Sequence, residues 1–380
     1  MGDISSLITK GTTPKDKSGT GEVNFIKVEN INDFSGDIVG MSKISLEEHQ
    51  GYLKRSQLQE GDILFSIAGT LGRVTSVNKE ILPANTNQAL SIIRLKEGNL
   101  EYVKTCLKGN VVADFIRRNP TIGAQPNLSL EQVSNLEIEI PSEAEQEKIG
   151  LYFSNLDHLI TLHQRKCEET KKLKKYMLQK MFPQNGKRVP EIRFAGFTDD
   201  WEQRKLGDVT ELKSASRVHK GEWTDSGVPF FRSSDVMAAI NGTTNEKAYI
   251  SEELYEKLSN ASGKLEEGDV LVTGGGSVGN PYIVPNNEPL YTKDADLLWI
   301  KNQGRFYPYF LYEYFFSPTF RIYLSNISHV GTIAHYTITQ LSETPISLPD
   351  IEEQIKVGEY FESLDRLITL HQRQYQKLFQ

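Results

Sequence analysis

One stretch of the chain occurs twice. Residues 149–165 read IGLYFSNLDHLITLHQR, and residues 357–373 read VGEYFESLDRLITLHQR. The second copy starts 208 residues after the first (357 minus 149), and most aligned positions are identical. A repeat of this length predicts a chain made of two similar halves. Any fold for this sequence must therefore account for two copies of one helix and for whatever precedes each copy.

Both copies have the pattern of a long helix with a narrow apolar stripe. Apolar residues recur in steps of four and three, which is the heptad spacing of helices that pack together. No Gly or Pro lies between Gly150 and Pro183, so the first helix is predicted to have about 38 residues and a length of roughly 57 Å. Each stripe is too apolar to face water, which predicts that the two helices pair antiparallel. The predicted helix-pairing residues are Ile149, Phe153, Leu156, Ile160, His163, Val357, Phe361, Leu364, Ile368 and His371.

The segment before each helix predicts a β-rich domain. Short β-branched runs occupy 23–28, 61–67, 72–77 and 89–95, and helical spacing follows at 101–118. LEEGDVLVTGGGSVG in the second half repeats LQEGDILFSIAGTLG in the first. The predicted fold class is α+β, with two similar β-rich domains separated by two long antiparallel helices and related by a pseudo-two-fold internal repeat. The predicted boundaries are 1–141 for the first domain, 142–182 for the first helix, 183–200 for a linker, 201–349 for the second domain and 350–380 for a shortened second helix.

Composition excludes several classes of protein. The chain has 380 residues, of which 38% are hydrophobic, as expected of a globular protein. It has no run of about 18 apolar residues and no signal-peptide pattern, so we expect no contact with a membrane. The only cysteines, Cys106 and Cys167, form no CxxC motif, which favours a reduced, cytoplasmic protein. The net charge of −7 argues against coating nucleic acid by charge alone.

The motifs that would indicate catalysis are incomplete. GGGSVG at 274–279 fits GxGxxG, but the strand-like NPYIVP follows where a dinucleotide site needs a helix, so a glycine-rich hairpin is predicted instead. Asn280-Pro281-Tyr282 lacks the second proline of the amino-methyltransferase loop. The chain has no GxxxxGK[ST] phosphate loop and no metal-ligand spacing. We therefore expect no catalytic residue, no metal and no cofactor in this chain.

Polar loops occupy matching places in the two domains while their sequences differ. Arg, Lys, Asn and Gln can read base edges, and Ser and Thr can contact bases or phosphates. A repeated scaffold with divergent loops is what a two-part recognition device would show. The candidate DNA-contacting residues are Lys10, Thr12, Thr13, Lys15, Ser66, Thr70, Arg73, Asn87, Gln88, Gln125 and Asn127 in the first domain, and Lys213, Ser216, Arg217, Lys220, Arg232, Ser233, Ser277, Asn280, Lys293, His335 and Tyr336 in the second.

The chain resembles the specificity subunits of type I restriction–modification enzymes. The resemblance is carried by the domain–helix–domain–helix order, the loop GTTPK at 11–15, TNQAL at 86–90, the two helix copies, and PEIRFAGFTDDWEQRKLGDV at 190–209. It covers essentially the whole chain. The first domain begins at MGDI without the segment that precedes LGDV in the second domain, and the second helix is shorter than the first. An antiparallel arrangement would bring these two chain ends together.

The resemblance implies a specific function. Each domain would be a target-recognition domain that binds one half of a bipartite site in double-stranded DNA, and the helices would set the gap between the halves. Two modification subunits, which bind S-adenosylmethionine, would dock on the chain and methylate adenine, and restriction subunits that hydrolyse ATP can join them. Domains held about 35–50 Å apart correspond to roughly 10–15 base pairs. The alternative is a coiled-coil adaptor that binds proteins without DNA specificity, while a self-contained methyltransferase or nuclease is disfavoured by the missing motifs.

Overall fold

The computed structural model describes residues 1–33, 35–118, 127–184, 186–292, 296–327 and 335–378. The chain divides into two compact units. Unit 1 contains residues 1–165 and 372–380, and unit 2 contains residues 166–371. Each long helix therefore begins in one unit and ends in the other.

Unit 1 is built on a four-stranded antiparallel sheet and a smaller three-stranded sheet. The large sheet has the strand order β1-β7-β4-β5, and the small one has the order β3-β2-β6 with β2 and β6 parallel. The elements of this half are β1 (Ser5–Lys10), β2 (Val23–Ile26), β3 (Ser42–Ile44), α1 (Leu46–Gln50), β4 (Ile63–Ser66), β5 (Val74–Ser76), β6 (Ala84–Thr86), β7 (Leu90–Leu95), α2 (Leu100–Lys108), α3 (Asn110–Arg118), α4 (Leu130–Ser134) and α5 (Glu143–Lys180).

Unit 2 repeats this plan with different loops. Its large sheet has the order β9-β16-β13-β14, and its smaller sheet has the order β10-β12-β11-β15 with β11 and β15 parallel. The elements are β8 (Glu202–Lys205), α6 (Leu206–Val209), β9 (Leu212–Ser214), β10 (Trp223–Thr224), β11 (Val228–Phe231), α7 (Ser233–Asn241), β12 (Tyr249–Ile250), α8 (Glu252–Ser262), β13 (Val270–Thr273), β14 (Pro281–Ile283), β15 (Tyr291–Thr292), β16 (Leu297–Ile300), α9 (Pro308–Tyr314), α10 (Pro318–Ile327), α11 (Ile338–Ser342), β17 (Pro345–Leu348) and α12 (Ile351–Lys377).

One of the two central strands of each large sheet, β4 in unit 1 and β13 in unit 2, is buried on both faces. Ile63 and Phe65 of β4 point into the core beneath α2, α3 and α4, while Leu64 points into the core shared with the small sheet. In unit 2, Val270 and Val272 of β13 face the core beneath α9 and α10, and Leu271 faces the opposite core. This alternation follows from the two-residue period of a strand. It explains why both segments read as continuous apolar runs.

Several predicted elements differ in detail from those observed. The helix predicted over 101–118 is two helices that break at Gly109, because glycine is a poor helix former. Residues 136–140 form no strand, whereas their counterpart β17 pairs with β8. The segment 183–200 is irregular as predicted, but Ile192 and Phe194 pack against the core of unit 2.

Within unit 2 the end of α5 packs antiparallel against α12. Cys167 Sγ contacts the carbonyl oxygen of Ile368 at 4.0 Å, Lys174 Nζ contacts Asp365 Oδ1 at 2.7 Å, and the rings of Phe182 and Phe361 stack at 6.1 Å between centroids. The partner numbers fall along α12 as they rise along α5, which defines the antiparallel direction.

The predicted pairing residues divide into two groups. Ile160 is 8% exposed, and Val357, Phe361 and Leu364 are buried in the core that also contains the end of α5. Ile149 instead packs against the core of its own domain, and Phe153 is 44% exposed, so the predicted stripe is wrong at its first two positions. The first turns of α5 contact their own domain, including the N-terminus of α2. Leu156, His163, Ile368 and His371 are partly buried.

Candidate nucleic-acid interface

In unit 1 the loop that follows β1 is fixed by main-chain atoms. Gly11 N donates to Leu90 O at 3.1 Å, and Thr12 N donates to Thr86 O at 2.9 Å. A Cβ atom on Gly11 would lie 2.1 Å from the carbonyl oxygen of Asn87, so only glycine fits at this approach. The glycine therefore brings the TTPK loop against the turn that precedes β7.

The side chains on these two segments face outward. Thr13, Lys15 and Gln88 are exposed, and Thr13 Oγ1 donates to Gln88 Oε1. Lys15 Nζ lies 4.6 Å from the centroid of the Tyr52 ring, which orients its charge without burying it. The structure thus brings together predicted residues that are 75 positions apart in the chain.

A cleft of about 220 Å³ lies beside this loop and is lined by lysines that were not among the predicted DNA-contacting residues. Thr13 and Asn87 line it together with Lys17, Lys27 and Lys43. Lys43 lies on β3, in register with Asn24 of β2, and its Nζ donates to Asn24 Oδ1 at 2.7 Å. The short β3 strand carries no periodic pattern, so no sequence signal could have placed these lysines next to Thr13.

Two predicted residues of unit 1 form hydrogen bonds that hold neighbouring loops in place. Ser66 is fully buried, accepts a hydrogen bond from Arg73 N at 2.7 Å and donates to Thr70 O at 2.6 Å. The Arg73 guanidinium donates to the carbonyl oxygens of Val28 and Ile31 and pairs with Asp33. For Ser66 the prediction of DNA contact is corrected to a structural role, because its hydroxyl is buried and its hydrogen bonds close the β4–β5 hairpin. Lys10, Thr70 and Asn127 are exposed, and Asn127 forms a β-bridge with Ala68.

The equivalent loop of unit 2 follows β9. Tyr291 Oη, on the parallel strand β15, donates to the carbonyl oxygen of Ser216 at 3.1 Å and holds this loop against the small sheet. Arg217 and Lys220 are exposed on it. The loops after β1 and β9 therefore occupy the same place in the two domains, beside a pair of parallel strands, although they share no sequence.

Other predicted residues of unit 2 are held by intramolecular contacts. Lys213 Nζ donates to Ser262 O at 3.3 Å and lies 5.5 Å from the Trp299 ring centroid. Arg232 pairs with Asp235 at 3.0 Å. Ser233 Oγ donates to Asp296 O, Asn280 Oδ1 accepts a hydrogen bond from Arg321, and Ser277 and His335 are exposed.

Tyr336 is the second predicted residue to be corrected. It is 1% exposed, its ring packs edge-on against Phe320, and its hydroxyl hydrogen-bonds Thr344. Burial raises the pKa of its phenol above the ordinary tyrosine value. The side chain belongs to the core of unit 2. Gln125 and Lys293 lie outside the residues that the structure describes.

The glycine-rich motif forms the predicted hairpin. Residues 274–280 connect the antiparallel strands β13 and β14, and Gly279 N donates to Thr273 O at 2.7 Å. Across the described ranges, no group of three or more His, Cys, Asp or Glu side chains is placed to hold a metal ion. No helix in the described part of the chain is long and apolar enough to cross a bilayer.

Comparison with known proteins assigns the class of this fold. The family described as "Type I restriction modification DNA specificity domain" matches residues 1–172 and 198–380. The chain belongs to this family, with one match in each half. It is a specificity subunit of a type I restriction–modification system, and the adaptor alternative is not favoured.

Individual relatives agree with this assignment. The chain is 25% identical to the type I restriction enzyme MjaVIII specificity subunit of Methanocaldococcus jannaschii, over 93% of this chain and 89% of that protein. It is 30% identical to the EcoBI specificity subunit of Escherichia coli over 33% of this chain and 27% of that one. The crystal structure of the S subunit from M. genitalium has the same fold, with a TM-score of 0.62 at 14% identity, covering 98% of this chain and 90% of that chain.

Proposed function

We propose that each domain of this specificity subunit reads one half of a bipartite site in double-stranded DNA. One observation carries the proposal: the two domains place divergent, exposed polar loops, after β1 and after β9, at the same position on a repeated scaffold. The repeated parts hold the fold and the differing parts face outward. This distribution is what two readers of different half-sites need.

The remaining features of the assembly follow from the same proposal. The paired helices fix the gap between half-sites. Two modification subunits dock on the chain and supply S-adenosylmethionine and adenine methylation, and restriction subunits supply ATP hydrolysis. This chain contributes recognition and no catalytic group, and it acts in the cytoplasm. Solved structures of similar fold support the assembly, since one is described as concerning complex assembly of the type I system.

Two matched variants test the assignment of domains to half-sites. Gln88→Ala removes an exposed amide from the first domain, and Lys220→Ala removes an exposed cation from the second. A lost base contact costs about 1–3 kcal/mol of discrimination, which is roughly 5- to 150-fold in affinity at one position. We expect Gln88→Ala to relax the preference at one half-site and to leave the other unchanged. If Lys220 contacts a phosphate, its loss should weaken binding evenly and lower the salt slope by about one.

The measurement is a gel shift of the complex with its modification subunits, on a DNA library randomised at one half-site at a time. Each variant is the control for the other domain. Replacing residues 1–141 with the matching domain of another family member should also change one half-site alone. Binding by the unaltered complex that ignores half-site identity would rule out the proposal.

A further inference from the structure

The two long helices share a second feature near their starts. A glutamine and a glycine four residues later occur at Gln146 and Gly150 of α5, and again at Gln354 and Gly358 of α12. The pairs are 208 residues apart, so they belong to the repeat. All four residues are buried.

Each glutamine side chain binds two main-chain groups of its own domain. Gln146 Oε1 accepts a hydrogen bond from Asn99 N at 2.9 Å, and its Nε2 donates to Pro141 O at 2.9 Å. In unit 2, Gln354 Oε1 accepts from Tyr307 N at 3.0 Å, and Nε2 donates to Pro349 O at 3.0 Å. Asn99 and Tyr307 are the N-cap residues of α2 and α9. Each glutamine therefore ties its long helix to the N-terminus of a domain helix.

Each glycine lets the long helix touch that same N-terminus. A Cβ on Gly150 would lie 2.7 Å from Tyr102 N, a main-chain atom that cannot move aside alone. A Cβ on Gly358 would lie 2.4 Å from the Tyr307 ring and 3.0 Å from Phe310 N. Glycine is a poor helix former, so its presence inside both helices requires a local cause. The cause here is that the backbone of each long helix lies directly against the domain helix, which leaves no room for a methyl group on the glycine.

A contact of this kind fixes an angle, and the length of the helix magnifies that angle. A helix of 38 residues extends about 57 Å, so a tilt of about 5° at one end displaces the other end by about 5 Å. That displacement equals roughly one and a half base-pair steps along B-DNA. Small changes at the glutamine–glycine contact would therefore change which half-site gap both domains can span.

We propose that Gln146 with Gly150, and Gln354 with Gly358, are the joints that set the angle between each recognition domain and its helix, and through it the gap length that the protein accepts. This inference rests on the proposed function, because gap selection presupposes two half-sites. These four are positioning residues and need not touch DNA. They are distinct from the loop residues that choose bases.

The test uses the complete complex with its modification subunits and a DNA library that keeps both half-sites fixed and varies the gap. Gly150→Ala and Gly358→Ala are compared with Glu147→Ala and Glu359→Ala, which alter exposed neighbours on the same helices. We expect the glycine variants to shift or broaden the preferred gap by about one base pair, with unchanged half-site sequences, and the glutamate variants to keep the original gap.

Gln146→Glu and Gln354→Glu provide a second route if a glycine variant does not fold. The carboxylate keeps the size of the side chain but cannot donate to Pro141 O or Pro349 O, and the gap preference should broaden. An unchanged gap in folded glycine and glutamine variants would overturn the inference. So would an equal loss of affinity at every gap length, which indicates a general effect on stability. If the unaltered complex does not discriminate half-sites, the proposed function fails instead.

Discussion

At the scale of single residues, the Glu313 carboxyl in the core of unit 2 has an unusual environment for an ionisable group. Its side chain is fully buried, and one oxygen lies 2.7 Å from Lys174 Nζ, while its Oε2 accepts no hydrogen bond from the described residues. Asp365 binds the same ammonium group. Burial is the largest cause that raises the pKa of Glu313, to about 8, and Asp365 adds to it while Lys174 opposes it. Two carboxyl groups, Glu313 and Asp365, thus contact one ammonium group at the place where α5 meets α12.

This site predicts a pH dependence of stability. Between the ordinary carboxyl pKa near 4.5 and about 8, folded Glu313 holds a proton that the unfolded chain has lost. The free energy of unfolding should therefore fall as the pH rises through this range, by at most about 1.4 kcal/mol per pH unit for one proton. Urea unfolding at several pH values measures it. Glu313→Gln should flatten the dependence, whereas Asp114→Asn, which alters a partly exposed carboxyl of unit 1, should not.

At the scale of elements, an ion pair joins the segment 183–200 to the start of α12. Arg193 donates two hydrogen bonds to Glu353, at 2.7 and 2.8 Å, and Trp201 Nε1 donates a third at 3.1 Å. The Glu353 side chain is fully buried, and the pair raises the pKa of Arg193 through the hydrogen bonds. A segment that looks like a linker in the sequence is thus a fixed part of unit 2.

Removing the arginine should therefore be costly. Arg193→Ala leaves a buried carboxylate unpaired, which typically costs about 3–5 kcal/mol of stability. Lys180→Ala is the matched control, because Glu191 of the Lys180–Glu191 pair is 67% exposed and this pair should contribute much less to stability. Denaturant unfolding followed by circular dichroism compares them. If the two substitutions lower the free energy of unfolding equally, the Arg193–Glu353 pair stabilises the fold no more than the Lys180–Glu191 pair does.

The elements also show which parts of the fold could be predicted from the sequence. The long helix predicted over 142–182 is observed at Glu143–Lys180, because its apolar period is local and strong. The parallel pairing of β2 with β6 could not be predicted, since it joins short strands that are distant in the chain. The same long-range pairing creates the cleft with Lys17, Lys27 and Lys43, so those lysines were missed. Tyr336 was misjudged because burial is set by packing rather than by residue type.

At the scale of the whole molecule, the proposed spacer can be lengthened. Four residues inserted near Leu162 add about one helical turn and about 6 Å of length. The side chains after the insertion therefore keep nearly the same orientation around the helix axis. The preferred gap should increase by about two base pairs, with both half-sites unchanged. Mapping of methylated adenines in cells that carry the variant measures this directly. Four residues inserted at the exposed turn of Gly242 are the control and should leave the gap as it was. Altered half-site sequences would refute the spacer role.

The main-chain anchoring of the TTPK loop has a consequence for how such a protein can change its target. Gly11 and the amide of Thr12 hold the loop, whereas the side chains of Thr13, Lys15 and Gln88 contribute little to the fold. Exposed substitutions of this kind usually change stability by less than about 0.5 kcal/mol. If these side chains read DNA as proposed, new DNA preferences can arise by single substitutions in a domain that stays folded throughout, and selection can act on the target sequence independently of the scaffold.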